Sequence, residues 1–164
     1  MSNCYGMYYC AKQAILDGKE MTSIDKLIHK FSYLTHVEFR FSERYHGISF
    51  SSTMQGDYHG CRFLDILYSH PLRWVPQLLP MTDEQEDIAW EEAHRIEGSK
   101  YDMLAVTGVA TGIGIVKPDP DKYWCNEAYG SLVKKAYGWG DEFKPDTQLP
   151  IDTFFYIHRL LGKE

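Results

Sequence analysis

The stretch that most constrains this 164-residue chain is THVEFRF, residues 35–41. Val37, Phe39 and Phe41 alternate strictly with His36, Glu38 and Arg40. In an extended strand successive side chains point to opposite faces, so the apolar set lies on a core and the polar set on the other side. A helix would scatter both sets around its circumference. The segment is therefore expected to be a half-buried strand, with His36 and Glu38 side by side on its polar face, about 7 Å apart at Cβ.

The flanking residues extend this strand into a sheet. Residues 42–47 (SERYHG) are polar, end in glycine and suit a hairpin turn, after which 47–52 (GISFSS) return with Ile48 and Phe50 on the apolar face. A polar loop at 53–60 leads to a further strand, CRFLDIL, and RWVPQLL is a fourth, which Pro76 confines to an edge or a bulge. Upstream, residues 6–12 read as a first strand. Between that strand and residue 35, Ile24, Leu27, Ile28 and Phe31 follow helical spacing, with Thr22 and Asp25 placed to cap the helix.

Beyond Pro80 the pattern changes. Thr82 and Gln85 form a capping box for an acidic amphipathic helix ending at Gly98. Residues 103–116 are apolar and glycine-rich, and periodicity does not separate a short buried helix from an irregular loop. After the breaker at 117–122 a helix resumes around Cys125, and Pro150 suits the first position of a last one. A helix, an antiparallel meander and then three helices indicate one α+β domain over residues 1–164.

Composition narrows the function classes. Seventeen basic residues stand against 23 acidic ones, a net charge of −6, so the basic footprint of a nucleic-acid binder is absent. No apolar run approaches the roughly 20 residues of a membrane-spanning helix, and the opening stretch lacks the pattern of a secretory signal. The seven histidines form no HxH, HxxH or HExxH, and TGVATGIG lacks the spacing of a phosphate-binding loop, so neither metal nor cofactor is expected. The four tryptophans are dispersed and suit core or cleft walls better than a base-stacking platform.

Chemistry points to one of four cysteines. Cys4, Cys10 and Cys61 read as packing or surface residues, mostly small buried hydrophobes, whereas Cys125 falls within the first turn of a helix, where unpaired N–H groups and the helix dipole stabilise a thiolate. It also lies on a stripe with Ala128, Tyr129, Leu132 and Ala136, which packing alone explains. A cysteine at a helix start and a histidine on a distant strand are what nucleophilic thiol catalysis requires. Glu38 could orient the imidazole; His46 and His59 lie in flanking loops and are expected to be exposed.

The order of these segments resembles the permuted papain-like, YiiX-like branch of the NlpC-type cysteine peptidases, which includes small proteins of tailed phages. His36-Val37-Glu38-Phe39 matches the histidine motif, Gly98, Tyr101 and Asp102 match a Gly-x-x-Tyr-Asp motif, and Trp124-Cys125-Asn126-Glu127 matches the nucleophile motif, usually Cys-Ser-Glu. The similarity spans about residues 22–160. It implies an antiparallel sheet with the histidine strand first, a Cys125 nucleophile, a His36 base and a peptide, peptidoglycan-like or acyl-amide substrate. It further implies residence in the cytoplasm of a bacterium or phage-infected host, or association with a virion. The family's third polar residue comes from the next strand, where this chain has Ser49 and Ser51. Ser51 is the candidate third group, but a serine orients imidazole weakly and carries no charge, so either Glu38 takes its place, or the site works as a Cys125–His36 dyad, or catalysis has decayed. Thioester chemistry also needs oxyanion donors: the Cys125 N–H and a tyrosine such as Tyr33 or Tyr123. A lipid-directed acyltransferase or thioesterase, and a decayed binding or assembly protein, are the other functions compatible with this pattern.

Overall fold

A computed structural model describes residues 1–54, 58–112 and 119–162. The strands are β1 (Ser2–Cys10), β2 (Leu34–Arg40), β3 (Ser49–Thr53), β4 (Gly60–Leu64), β5 (Trp74–Met81), β6 (Lys100–Tyr101) and β7 (Lys122–Tyr123). The helices are α1 (Ala11–Leu16), α2 (Ser23–His29), α3 (Asp83–Ile96), α4 (Met103–Thr111), α5 (Cys125–Tyr137) and α6 (Pro150–Leu161), with short 3-10 turns at Glu43–Tyr45 and Pro145–Thr147. The class is α+β.

All seven strands form one sheet in the order β5-β1-β2-β3-β4-β6-β7. It is mixed rather than antiparallel throughout, because β6 and β7 pair in parallel through Lys100–Lys122 and Tyr101–Tyr123. Nor is it a plain meander: β1 inserts between β5 and β2 and pairs antiparallel with both. β5 is consequently the edge strand, which is how Pro76 and Pro80 are accommodated without breaking an interior ladder.

Helices α3 and α5 cover the apolar face. Val37, Phe39 and Phe50 are fully buried there against Ala93, Tyr129 and Leu132. The Thr82–Gln85 capping box starts α3, and Thr22 accepts the Asp25 amide at the start of α2. α2 ends at His29, so Phe31 lies beyond the helix and is exposed rather than on its buried stripe. Residues 103–111 are helical; the rest of the glycine-rich stretch, from 113, lies outside the described residues, as do 117–118 and 55–57. None of the described helices is long and apolar enough to cross a membrane.

α5 is locked from two sides. The two N–H groups of Asn126 Nδ2, on a fully buried side chain, are shared among three acceptors, the carbonyls of Pro145 (2.9 Å) and Gln148 (2.8 Å) and Thr153 Oγ1 (2.8 Å), tying the helix start to the chain leading into α6. One turn on, Gly130 lies so close to Pro145 that a Cβ would stand 2.1 Å from the Pro145 Cβ. Alanine would gain about 0.5–1 kcal/mol in helix propensity, but overpacking costs about 1–3 kcal/mol. Gly130→Ala should therefore lower unfolding free energy by about 1–2 kcal/mol in urea denaturation; a stabilised variant would contradict this packing.

Candidate active site

The polar face of β2 is not solvated. The chain after β4 folds back over it, placing Tyr68 against Trp74 (5.0 Å, edge to face) with its hydroxyl 2.6 Å from Ser49 Oγ. Trp74 in turn lies edge-on to His36 at 6.4 Å. Beneath this roof Glu38 is 1% exposed.

A carboxylate that deep needs partners, because burial alone favours its neutral form. Glu38 has two. Arg62 on β4 forms a fork, Nη1 to Oε2 at 3.0 Å and Nη2 to Oε1 at 2.9 Å. His36 Nε2 meets the same Oε1 at 2.7 Å. Against the upward push of burial, these hydrogen bonds and charges hold the Glu38 carboxyl down at about 2. An ionised carboxylate only accepts, so Nε2 carries a proton and Nδ1 is left to meet a second partner.

The second group acting on the ring is Cys125. It is the first residue of α5, after Trp124 at the N-cap, and is 1% exposed. The first helical hydrogen bond runs from the Ala128 N–H to the Trp124 carbonyl (2.9 Å), so the Cys125 N–H has no partner within the helix. Among the groups acting on the His36 ring, Cys125 exerts the strongest upward pull on its affinity for a proton. Burial works against a charged imidazole, but the sulfur and then Glu38 outweigh it and raise His36 to about 10.

The structure thus brings together Cys125, His36 and Glu38. Ser51 is not part of that chain: its hydroxyl donates to the Val37 carbonyl at 2.7 Å rather than to the imidazole. It faces Arg62 across the β3–β4 pair, and its small side chain lets the Arg62 guanidinium span the intervening strand to Glu38. Ser49 is engaged with Tyr68. His46 and His59 are both exposed.

Neither tyrosine named from the sequence is at this centre. Tyr33 is 46% exposed, and the Tyr123 hydroxyl accepts from Arg95 at 3.3 Å. Tyr101 lines the same small cavity as His36. Burial holds its hydroxyl well above the ordinary range, and the charges of Cys125, Asp25 and Asp102 add to this. Its neighbour Asp102 has a different task, accepting the Ala105 amide (2.8 Å) as the N-cap of α4. Arg62 carried no sequence signal of its own, since only the register across β3 aligns it with Glu38. Cys4, Cys10 and Cys61 are free thiols like Cys125, and Cys4 donates to the buried Glu86 (3.3 Å). Among the described residues no three His, Cys, Asp or Glu side chains are grouped to hold a metal ion.

Comparison with family models, curated proteins and solved structures finds no match for this chain.

The folded-state value of Glu38, about 2 against an ordinary 4.5, has a definite pH consequence. A lowered carboxylate contributes stability that is complete above about pH 4.5 and lost as pH falls through about 2. Unfolding free energy from urea titrations should fall more steeply over that window in the wild type than in Glu38→Gln. At pH 7 the variant should be about 3–5 kcal/mol less stable, because Arg62 is left as an uncompensated buried charge. Equal slopes and equal stability would contradict the pairing.

Proposed function

We propose that this protein is a cysteine-dependent hydrolase of permuted papain-like fold, cleaving an amide or peptide bond through a thioester on Cys125. The observation that carries the reading is the His36 ring, whose Nε2 meets at 2.7 Å a carboxylate that Arg62 keeps ionised and whose affinity for a proton Cys125 raises. A buried ion-paired carboxylate behind the imidazole supports a working site over a decayed one.

The chemistry follows from that arrangement. His36 as imidazolium stabilises negative charge on sulfur, and the thiolate attacks the carbonyl carbon. The oxyanion is met by the Cys125 N–H at the helix start and by the Tyr101 hydroxyl. His36 then gives its proton to the leaving amine as the C–N bond breaks. Acylation ends the influence of the Cys125 sulfur on the ring, the strongest of those that raise its affinity for a proton. Burial then favours neutral imidazole, and His36 becomes the base for water. Throughout, Glu38 keeps Nε2 protonated and the ring directed at the sulfur.

The resemblance in motif order extends the proposal to peptide or peptidoglycan-like amides in a bacterial or phage setting. Mass spectrometry after brief exposure to a small thiol-directed acyl electrophile tests the core of it. Cys125 should label first, and its rate should fall by about 100-fold or more in His36→Ala. Slow, equal labelling of all four cysteines, unaffected by His36→Ala, would overturn the assignment.

A further inference from the structure

A cavity of about 20 Å³ adjoins His36, walled by Thr22, Asp25, Thr35 and Tyr101 among others. One water molecule needs about 10–15 Å³ and two to four polar partners. The volume matches one water, and the walls combine polar side chains with the apolar Ile24 and Met54.

Thr35 is the telling residue. It is 1% exposed, and its Oγ1 has no hydrogen-bond partner among the described residues. Buried hydroxyls are ordinarily satisfied, so an unpartnered one on a residue that lines a water-sized cavity marks a place for a ligand that both donates and accepts. Across the cavity, the Thr22 hydroxyl donates to Asp25 Oδ2 (2.7 Å) and accepts the Asp25 amide (3.0 Å), which fixes the carboxylate at the start of α2. Asp25 is itself 7% exposed. His36 is adjacent in sequence to Thr35 and forms part of the same wall.

We propose that this cavity binds the single water that releases the acyl group from Cys125, with Thr35 and Asp25 positioning it beside His36. The proposal rests on the thioester reading above and deepens it, since a water-sized pocket favours hydrolysis over transfer to a bulkier acceptor. In the step, neutral His36 takes a proton from the water as its oxygen bonds to the thioester carbonyl carbon. The C–S bond then breaks, sulfur departs as thiolate beside the new imidazolium, and the product is a carboxylic acid, which ionises to its carboxylate. No further reactant is required. Thr35 is thus a positioning residue: it acts on the water, not on the acyl group.

Pre-steady-state hydrolysis of p-nitrophenyl acetate separates the two half-reactions. Thr35→Val keeps side-chain shape and disturbs no existing hydrogen bond, so the nitrophenolate burst should be unchanged in rate and amplitude. The steady-state phase should slow by about 10- to 100-fold, with acetyl-Cys125 accumulating in the intact mass. Thr35→Ser should restore turnover. Loss of burst and steady state together, or no change in either, would overturn the role of the cavity while leaving the Cys125–His36 pair standing. A wild-type protein that forms no acetyl-Cys125 would instead overturn the thioester reading, and this role with it.

Discussion

The site depends on a carboxylate buried where a carboxylate has no business unless it is paired. Glu38 lies under the Tyr68–Trp74 roof and is held ionised by the fork from Arg62, two strands away. Removing a charge from water costs several kcal/mol, and only close, well-directed partners offset it. The second partner is the His36 ring. One electrostatic requirement therefore fixes the tautomer of the imidazole, its orientation and its affinity for a proton. The intervening strand contributes by being small: Ser51 turns its hydroxyl onto the Val37 backbone and leaves the span clear.

The other half of the site is fixed by a different device. Cys125 is at the first position of α5, and the register of that helix start is set by its neighbour. Asn126 reaches three acceptors in the segment leading to α6, while the stripe from Ala128 to Ala136 is buried against the sheet and α3. The nucleophile is thus carried by a rigid element docked on its packing face and clamped at its tip. Trp124 and Cys125 also join Ile28, Ala105 and Val106 in a second small core beneath α2 and α4, which explains why the sulfur is so little exposed.

Much of this was legible in the sequence because it is periodic. Strict alternation made 35–41 a strand and put His36 beside Glu38; capping chemistry at Thr82 and Thr22 located two helix starts; Pro76 marked an edge. What escaped has no period. β6 and β7 have two residues each, too few for any alternation, and their parallel pairing joins segments more than 20 residues apart. The insertion of β1 between β2 and β5 is equally non-local. Residues 103–111 are apolar on most sides, so no stripe distinguished helix from loop. The cover over the polar face of β2, Tyr68, comes from a loop and has no period either. Arg62 was invisible as a site residue for the same reason, since it belongs to the site only through strand order, whereas Tyr101 stood in the Gly-x-x-Tyr-Asp motif without a role attached. Asn126 looked like a minor departure at a helix start and is a clamp.

The central claim is that His36 is a charged imidazole held between Cys125 and an ionised Glu38, and nitrogen NMR of the His36 ring tests it most directly. Both ring nitrogens should carry protons at neutral pH, with titration displaced from the ordinary 6.5 to about 10 and most of that displacement lost in Cys125→Ala. A ring that is neutral at pH 8 and titrates near 6.5 in both proteins would contradict the account.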